Sequence, residues 1–246
     1  MKTTRLFIAA LKFIESLFIV GGGKKSKESE GTPSDSIPNN IENPPSAPIS
    51  NDDWVDLGLP SGLLWASRNV GATKPEDYGD YFAWGETQPK STYTWENYKY
   101  YRPDDNRGEY TKYCPKSSFG YNGYVDNLVT LQSSDDAAAA NVSGARMPTR
   151  AEWEELEDNC TWKWITLNGV NGMCITGPSG KSLFLPEAGY RWDGETYRVG
   201  SNGGYWSSSL YEYYPGYAWD LNFGSGDHGM NGGLGRYYGF SVRPVR

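Results

Sequence analysis

The 246-residue chain has one histidine, three cysteines and a few groups of carboxylates as candidates for acid–base, nucleophilic or metal chemistry. His228 lies in the run Gly226-Asp227-His228-Gly229, with no nucleophile-elbow pattern beside it, and is expected to be an exposed loop histidine. Cys114, Cys160 and Cys174 are odd in number, and their spacing matches no zinc set. They are expected to be small buried hydrophobes with at most one pair among them. Glu154, Glu155, Glu157 and Asp158 crowd one helical stretch and suit a solvated charged face better than an acid–base pair. A calcium ion needs several converging oxygens, and Asp220, Asn222 and Asp227 do not have the pattern of such a set. The chain is therefore expected to be a non-enzyme with no metal and no cofactor.

Tyrosine and glycine, by contrast, are abundant near the C-terminus. Between 211 and 238, Tyr211, Tyr213, Tyr214, Tyr217, Tyr237 and Tyr238 alternate with seven glycines and with Asp220, Asn222, Ser225, Asp227, His228 and Asn231. Antibody combining sites use this palette: tyrosine supplies rigid amphipathic contact area, and Gly, Ser and Asn supply adaptable polar contacts. The expected ligand-binding set is Tyr211, Tyr213, Tyr214, Tyr217, Asp220, Asn222, Asp227, His228, Asn231, Tyr237 and Tyr238. Tyr213, Tyr214, Tyr237 and Tyr238 have the character of interface anchors. Alternation along 217–223 predicts a strand with Trp219, Leu221 and Phe223 facing inward and Ala218, Asp220 and Asn222 facing outward.

The elements that must position these residues are short. Ten Trp and nineteen Tyr imply a core of few, large side chains, and thirty Gly with fifteen Pro imply many turns. Trp54–Leu59 and Leu63–Ser67 are expected to be strands joined by Pro60-Ser61-Gly62, and Pro75–Gly79 one helical turn. Residues 88–127 have no clear period and are expected to be long loops. Ser134 should cap a short helix through Ala140. The clearest helix runs from Arg150 to Asn159, with Thr149 and Glu152 forming a capping box. Strand-like pieces follow at 163–165, 172–175, 182–185, 204–208, 217–223 and 239–244. The class is α+β.

Residues 1–23 have a positive start and a short apolar stretch, as an export segment does. The run Leu17–Ser26 is similar to a bacterial lipoprotein start, except that Gly22 stands where the acylated Cys would be. Residues 24–52 are rich in Ser, Pro, Asn and Glu and predict a tether too polar to bury a core. The net charge is −7, with no Lys/Arg cluster after Lys27, which argues against nucleic acid.

Six ordered blocks carry a family resemblance. They are Trp54-Val55-Asp56-Leu57-Gly58-Leu59-Pro60-Ser61-Gly62-Leu63-Leu64-Trp65-Ala66, Tyr81-Phe82-Ala83-Trp84-Gly85-Glu86, Arg146-Met147-Pro148-Thr149, Phe184-Leu185-Pro186 with Ala188-Gly189-Tyr190-Arg191, Tyr205-Trp206-Ser207-Ser208-Ser209, and Gly239-Phe240-Ser241-Val242-Arg243-Pro244-Val245. Residues 53–246 resemble a major paralogous domain family of Bacteroidetes and Fibrobacter. That family resembles the C-type-lectin-like fold of formylglycine-generating enzymes and of proteins varied by diversity-generating retroelements.

The resemblance implies two short helices packed on small antiparallel sheets with long loops. It also implies a variable region at 205–246 and an exported or surface-displayed protein that binds a glycan or protein ligand. The expected location is the cell envelope, the outer-membrane surface or the exterior, with membrane contact only through an N-terminal anchor. A formylglycine-type enzyme would need a cysteine pair near its C-terminus, and no Cys follows Cys174. Adenine-directed change of an Asn codon yields Tyr, Asp, Gly, Ser and His, the types concentrated here, while Trp206, Leu221, Phe223, Phe240 and Val242 have the character of scaffold. A self-assembling structural or fimbrial component is the alternative.

Overall fold

A computed structural model describes residues 48–103 and 109–246. The export-like segment and nearly all of the tether lie outside the described residues. The tether's last residues belong to the fold: Ile49 packs against the core, the Pro48 carbonyl accepts from Arg68 Nη2 at 3.0 Å, and Asn51–Asp53 form a single 3-10 turn. The domain thus begins by residue 48 rather than 53.

The first strands are short and cross-braced. β1 (Trp54–Asp56) pairs antiparallel with β2 (Leu64–Ala66), as the two apolar blocks predict. β3 (Tyr81–Phe82) follows. Pro75–Gly79 form no helix, because the Asp77 carboxylate instead accepts from the Thr73 and Lys74 amides and holds a turn. Inside the stretch expected to be loop, β4 (Tyr101–Arg102) pairs with β5 (Glu109–Tyr110).

Among the described residues the two α-helices are α1 (Ala137–Asn141) and α2 (Arg150–Asn159). The cap of α1 is Asp136, not Ser134: its Oδ1 accepts from Ala138 and Ala139, and its Oδ2 from the Met147 amide at 2.8 Å. A carboxylate with two acceptors outcompetes a hydroxyl there, since it ties the next segment to the helix start as well. α2 has the expected capping box, Thr149 Oγ1 accepting from Glu152 N and Glu152 Oε2 from Thr149 N. Its inward face is Trp153 and Leu156, both fully buried.

Next comes a meander of β6 (Thr161–Leu167), β7 (Val170–Thr176) and β8 (Ser182–Pro186). The turn from β6 to β7 is Asn168-Gly169, both at positive φ, the geometry that suits a two-residue hairpin. The same device, Asp193-Gly194, joins β9 (Tyr190–Trp192) to β10 (Glu195–Tyr197). The remaining strands are β11 (Gly203–Leu210), β12 (Tyr217–Phe223), β13 (His228–Gly235) and β14 (Phe240–Ser241). Among the described residues the architecture is mixed α+β, two helices and mostly strands in several small sheets.

The largest sheet has the order β13-β12-β11-β14-β3, and β14 runs parallel to β11, so this sheet is mixed rather than purely antiparallel. It lies between two core clusters. Adjacent residues Tyr205 and Trp206 point into opposite ones: Trp206 joins Phe82, Trp84 and Phe240, while Tyr205 joins Trp153, Leu221 and Phe223. Buried indoles keep their hydrogen bonds, Trp206 Nε1 donating to Phe82 O and Trp84 Nε1 to Ser207 O, each at 2.8 Å. Trp206, Leu221, Phe223, Phe240 and Val242 are all buried, as scaffold residues should be. The three cysteines are free thiols, Cys114 buried and the other two half-buried.

Candidate ligand-binding surface

The residues expected to bind a ligand lie along one hairpin. β12 and β13 pair from Tyr217↔Gly235 at one end to Phe223↔His228 at the other. With a rise of about 3.3 Å per residue, the two ends stand roughly 20 Å apart. The predicted set therefore divides into two surfaces.

The first end collects the tyrosines. Tyr213 is 76% exposed and Tyr214 43%. Tyr214 lies 4.7 Å from Tyr217 and 5.0 Å, edge-on, from Phe119. Tyr211 is half-buried against Trp219. Tyr237 stacks on Tyr238 at 4.4 Å and lies tilted against Trp95 at 4.3 Å. Tyr238 itself is buried, which corrects its expected role as an exposed anchor: Tyr237, Tyr190 and Trp192 surround it, so it supports the surface from beneath.

The glycines at this end have a structural purpose unlike that of flexible loop residues. A Cβ on Gly235 would lie 2.6 Å from the Tyr237 ring and 3.3 Å from Trp95. On Gly216 it would meet the Tyr110 hydroxyl at 2.5 Å, and on Gly232 the Tyr211 ring at 2.4 Å. Each glycine lets an aromatic ring rest on bare backbone.

Arg236 ties this end to the core. It is fully buried, and Nη1 donates to Tyr113 O at 2.9 Å and to Pro215 O at 3.1 Å. Nη2 donates to Lys112 O at 3.2 Å, and the guanidinium carbon lies 4.5 Å from the Tyr110 ring centre. One cation thus joins β13 to the 112–113 segment and to the turn before β12. Burial pushes the Tyr101, Tyr217 and Tyr237 phenols above their ordinary range, so they act as neutral hydroxyls.

The other end is different. Asp227 is exposed and accepts from the His228 amide at 2.9 Å. His228 is exposed, as expected, but its ring lies flat on Trp162, 4.4 Å away at 9°. Desolvation lowers its pKa, against a smaller upward pull from Asp227. On α2 nearby, Glu157 is pushed up to about 7 by burial and then by Glu154 and Asp158, although the Met230 amide donates to it. Glu157 is therefore half-buried under β13 and does not belong to a fully solvated face. Asn222 is half-buried in a side-chain pair with Asn202 at 2.9 Å, and Asn231 is half-buried on β13.

Asp220 is the clearest correction. It was expected to face solvent, yet it is fully buried, and neither carboxyl oxygen has a hydrogen-bond partner among the described residues. Two causes act together. The sheet is covered on both faces, so alternation no longer separates inside from outside. Register shifts also interrupt both ladders of β12 near this residue. Burial raises its pKa well above the carboxylate range, so the group is a neutral acid.

Sequence reasoning missed Trp95, Tyr101, Tyr190, Trp192 and Tyr197, which complete the tyrosine end. Asp193-Gly194, a strong two-residue hairpin signal, was the available sign for the last three. Comparison with protein-family models, with curated proteins and with solved structures finds no match.

Proposed function

We propose that this chain is an exported or surface-displayed binding protein of C-type-lectin-like architecture that meets its ligand, a glycan or a protein, with the tyrosine end of the β12–β13 hairpin. The observation that carries this reading is convergence. Tyr237 and Tyr238, read from the C-terminal stretch, meet Trp95, Tyr101 and Trp192 from elsewhere in the chain, while at the same end of the hairpin Tyr214 packs with Tyr217 and Phe119 and Tyr211 with Tyr213 and Trp219. Exposed aromatic residues on a rigid support are the usual anchors of recognition surfaces. The sequence blocks support the family and fold, and the leader-like start supports display at an envelope.

Adenine-directed diversification extends the reading to the exposed and half-exposed positions and leaves out the buried Asp220 and Tyr238. Near-copies of the coding sequence for 205–246 that differ only at adenines would establish it, and copies that differ equally at all bases would end it. The binding test is a screen of the full chain against glycans and surface proteins, repeated with Tyr213, Tyr214, Tyr217 and Tyr237 changed to Ala. Binding should weaken by about 1–3 kcal/mol for each anchor residue. Unchanged binding across those variants, with loss on Asp227→Ala or His228→Ala, would move the site to the other end. A concentration-dependent oligomer that buries the tyrosines would instead favour the structural, self-assembling alternative.

A further inference from the structure

The aromatic surface continues well beyond the C-terminal segment. Tyr101, Trp95, Tyr237, Tyr238, Trp192 and Tyr197 form a row of rings in contact, drawn from three separate stretches of chain and joined in the middle through the buried Tyr238. Successive ring centres lie 5.1, 4.3, 4.4, 6.4 and 5.8 Å apart. Trp192 is 39% exposed, and apart from the buried Tyr238 the other rings are half-exposed. Tyr190 stacks on Tyr197 at 5.5 Å and 21°, which braces that end of the row.

We infer that this row is a stacking platform for a neutral, linear oligosaccharide. The inference rests on the binding role proposed above and names the class of ligand. A pyranose ring has a C–H face comparable in size to a phenol ring, with hydroxyls around its rim. Tyr and Trp offer the matching arrangement, an apolar face with a polar edge. Rings already held by glycine backbone and by each other lose little side-chain freedom when a ligand arrives.

The surroundings select against other ligands. Tyr and Trp also anchor protein interfaces, but these add Phe, Met and Arg, so a surface confined to Tyr and Trp suits a sugar at least as well as a protein. Among the described residues, the large exposed hydrophobics are Tyr, Trp and two Val, Val125 and Val199, neither of them in the row. Single-stranded nucleic acid also stacks on aromatic residues, but in a positively charged groove. Here the chain carries −7, and Glu96 lies close enough to push the Tyr101 and Tyr237 phenols upward. The nearby Arg191 guanidinium is occupied internally, donating to Ser91 O and Gly194 O. The negative charge of Glu96 at the Tyr101 and Tyr237 end of the row disfavours acidic glycans as well.

The test is titration of the full chain with cellohexaose, xylohexaose and mannohexaose, and with the matching disaccharides, followed by tryptophan fluorescence and calorimetry. At least one hexaose should bind more tightly than its disaccharide, because a row of rings gains contacts with ligand length. Trp192→Ala and Trp95→Ala should each weaken that binding by roughly tenfold or more. His228→Ala should leave it unchanged. Trp192 is exposed, so its removal tests contact with little risk to folding. Absence of saturable binding by every neutral hexaose overturns the inference. So does binding confined to polygalacturonate or polyuridylate, or hexaose binding that ignores both Trp variants. If a protein ligand is captured instead, and its binding depends on Tyr213 and Tyr214 but not on Trp192, the ligand class is wrong while the proposed binding role stands. Capture that ignores Tyr213, Tyr214, Trp95 and Trp192 alike removes both.

Discussion

The two ends of the β12–β13 hairpin look alike in composition and differ in construction. Both contain glycine, polar residues and aromatic neighbours. At the Tyr217/Gly235 end, rings from four parts of the chain rest on glycine backbone and on one another, and a buried arginine holds the loops beneath them. At the Phe223/His228 end, one imidazole lies on one indole, and acidic side chains crowd the helix behind. The difference shows that residue types common in recognition loops become a binding surface only where something rigid lies under them.

The comparison is broken most severely at Arg236. Replacing it with Ala leaves two buried carbonyls, Tyr113 O and Pro215 O, and the part-buried Lys112 O without their donor and removes the cation from the Tyr110 ring. The expected cost is about 3–5 kcal/mol in urea unfolding, and a loss under about 1 kcal/mol would mean that Arg236 does not support the platform. Glycine substitutions sharpen the contrast. Gly235→Ala, with its Cβ 2.6 Å from Tyr237, should cost about 1–3 kcal/mol and also displace the Tyr237 and Trp95 rings. Gly224→Ala, which meets only the Ser201 carbonyl at 3.4 Å, should change stability by about 0.5 kcal/mol or less. Equal costs at the two positions would remove the distinction between the ends.

Between the ends, Asp220→Asn is expected to stabilise the fold by about 1–2 kcal/mol at neutral pH. The folded-state pKa of Asp220 is raised, so above the unfolded value the unfolded chain releases a proton that the folded chain retains. Stability therefore falls as pH rises from the ordinary carboxylate range toward the folded pKa. The Asn variant should flatten that fall in unfolding experiments run across pH. A variant less stable than wild type at every pH would show that the carboxyl serves the fold. A small effect is also expected for His228→Ala. It removes one stacked pair at an exposed site, worth about 0.5–1 kcal/mol, and should leave ligand affinity as it was.

Much of the fold was legible because its signals are local. The Thr149/Glu152 box and the Arg150–Asn159 helix were read correctly, since a cap and its partner lie three residues apart. The bounds of β12 were also right, because alternation marks a strand whatever covers it. Its facing was wrong for the same reason: alternation says that two faces exist, not that one of them is wet. β13 escaped notice because His228-Gly229-Met230-Asn231-Gly232-Gly233-Leu234-Gly235 has little intrinsic strand preference and pairs only because β12 presents it with a ladder. The Asn168-Gly169 and Asp193-Gly194 turns were open to reading and would have placed two hairpins, one of them carrying Trp192.

By itself, the sequence determined the mixed α+β class, the main helix with its cap, the aromatic nature of the core, and the tyrosine-rich character of residues 211–238. These follow from composition and short-range spacing, which act before the chain closes on itself. The tertiary structure alone decided that Asp220 goes inside, that the hairpin's two ends become separate surfaces, and that Trp95 and Trp192, about a hundred positions apart in the chain, join Tyr237 and Tyr238 in one row. Those outcomes depend on which faces of a sheet are covered and which loops meet, and both are set by contacts between residues far apart in the chain.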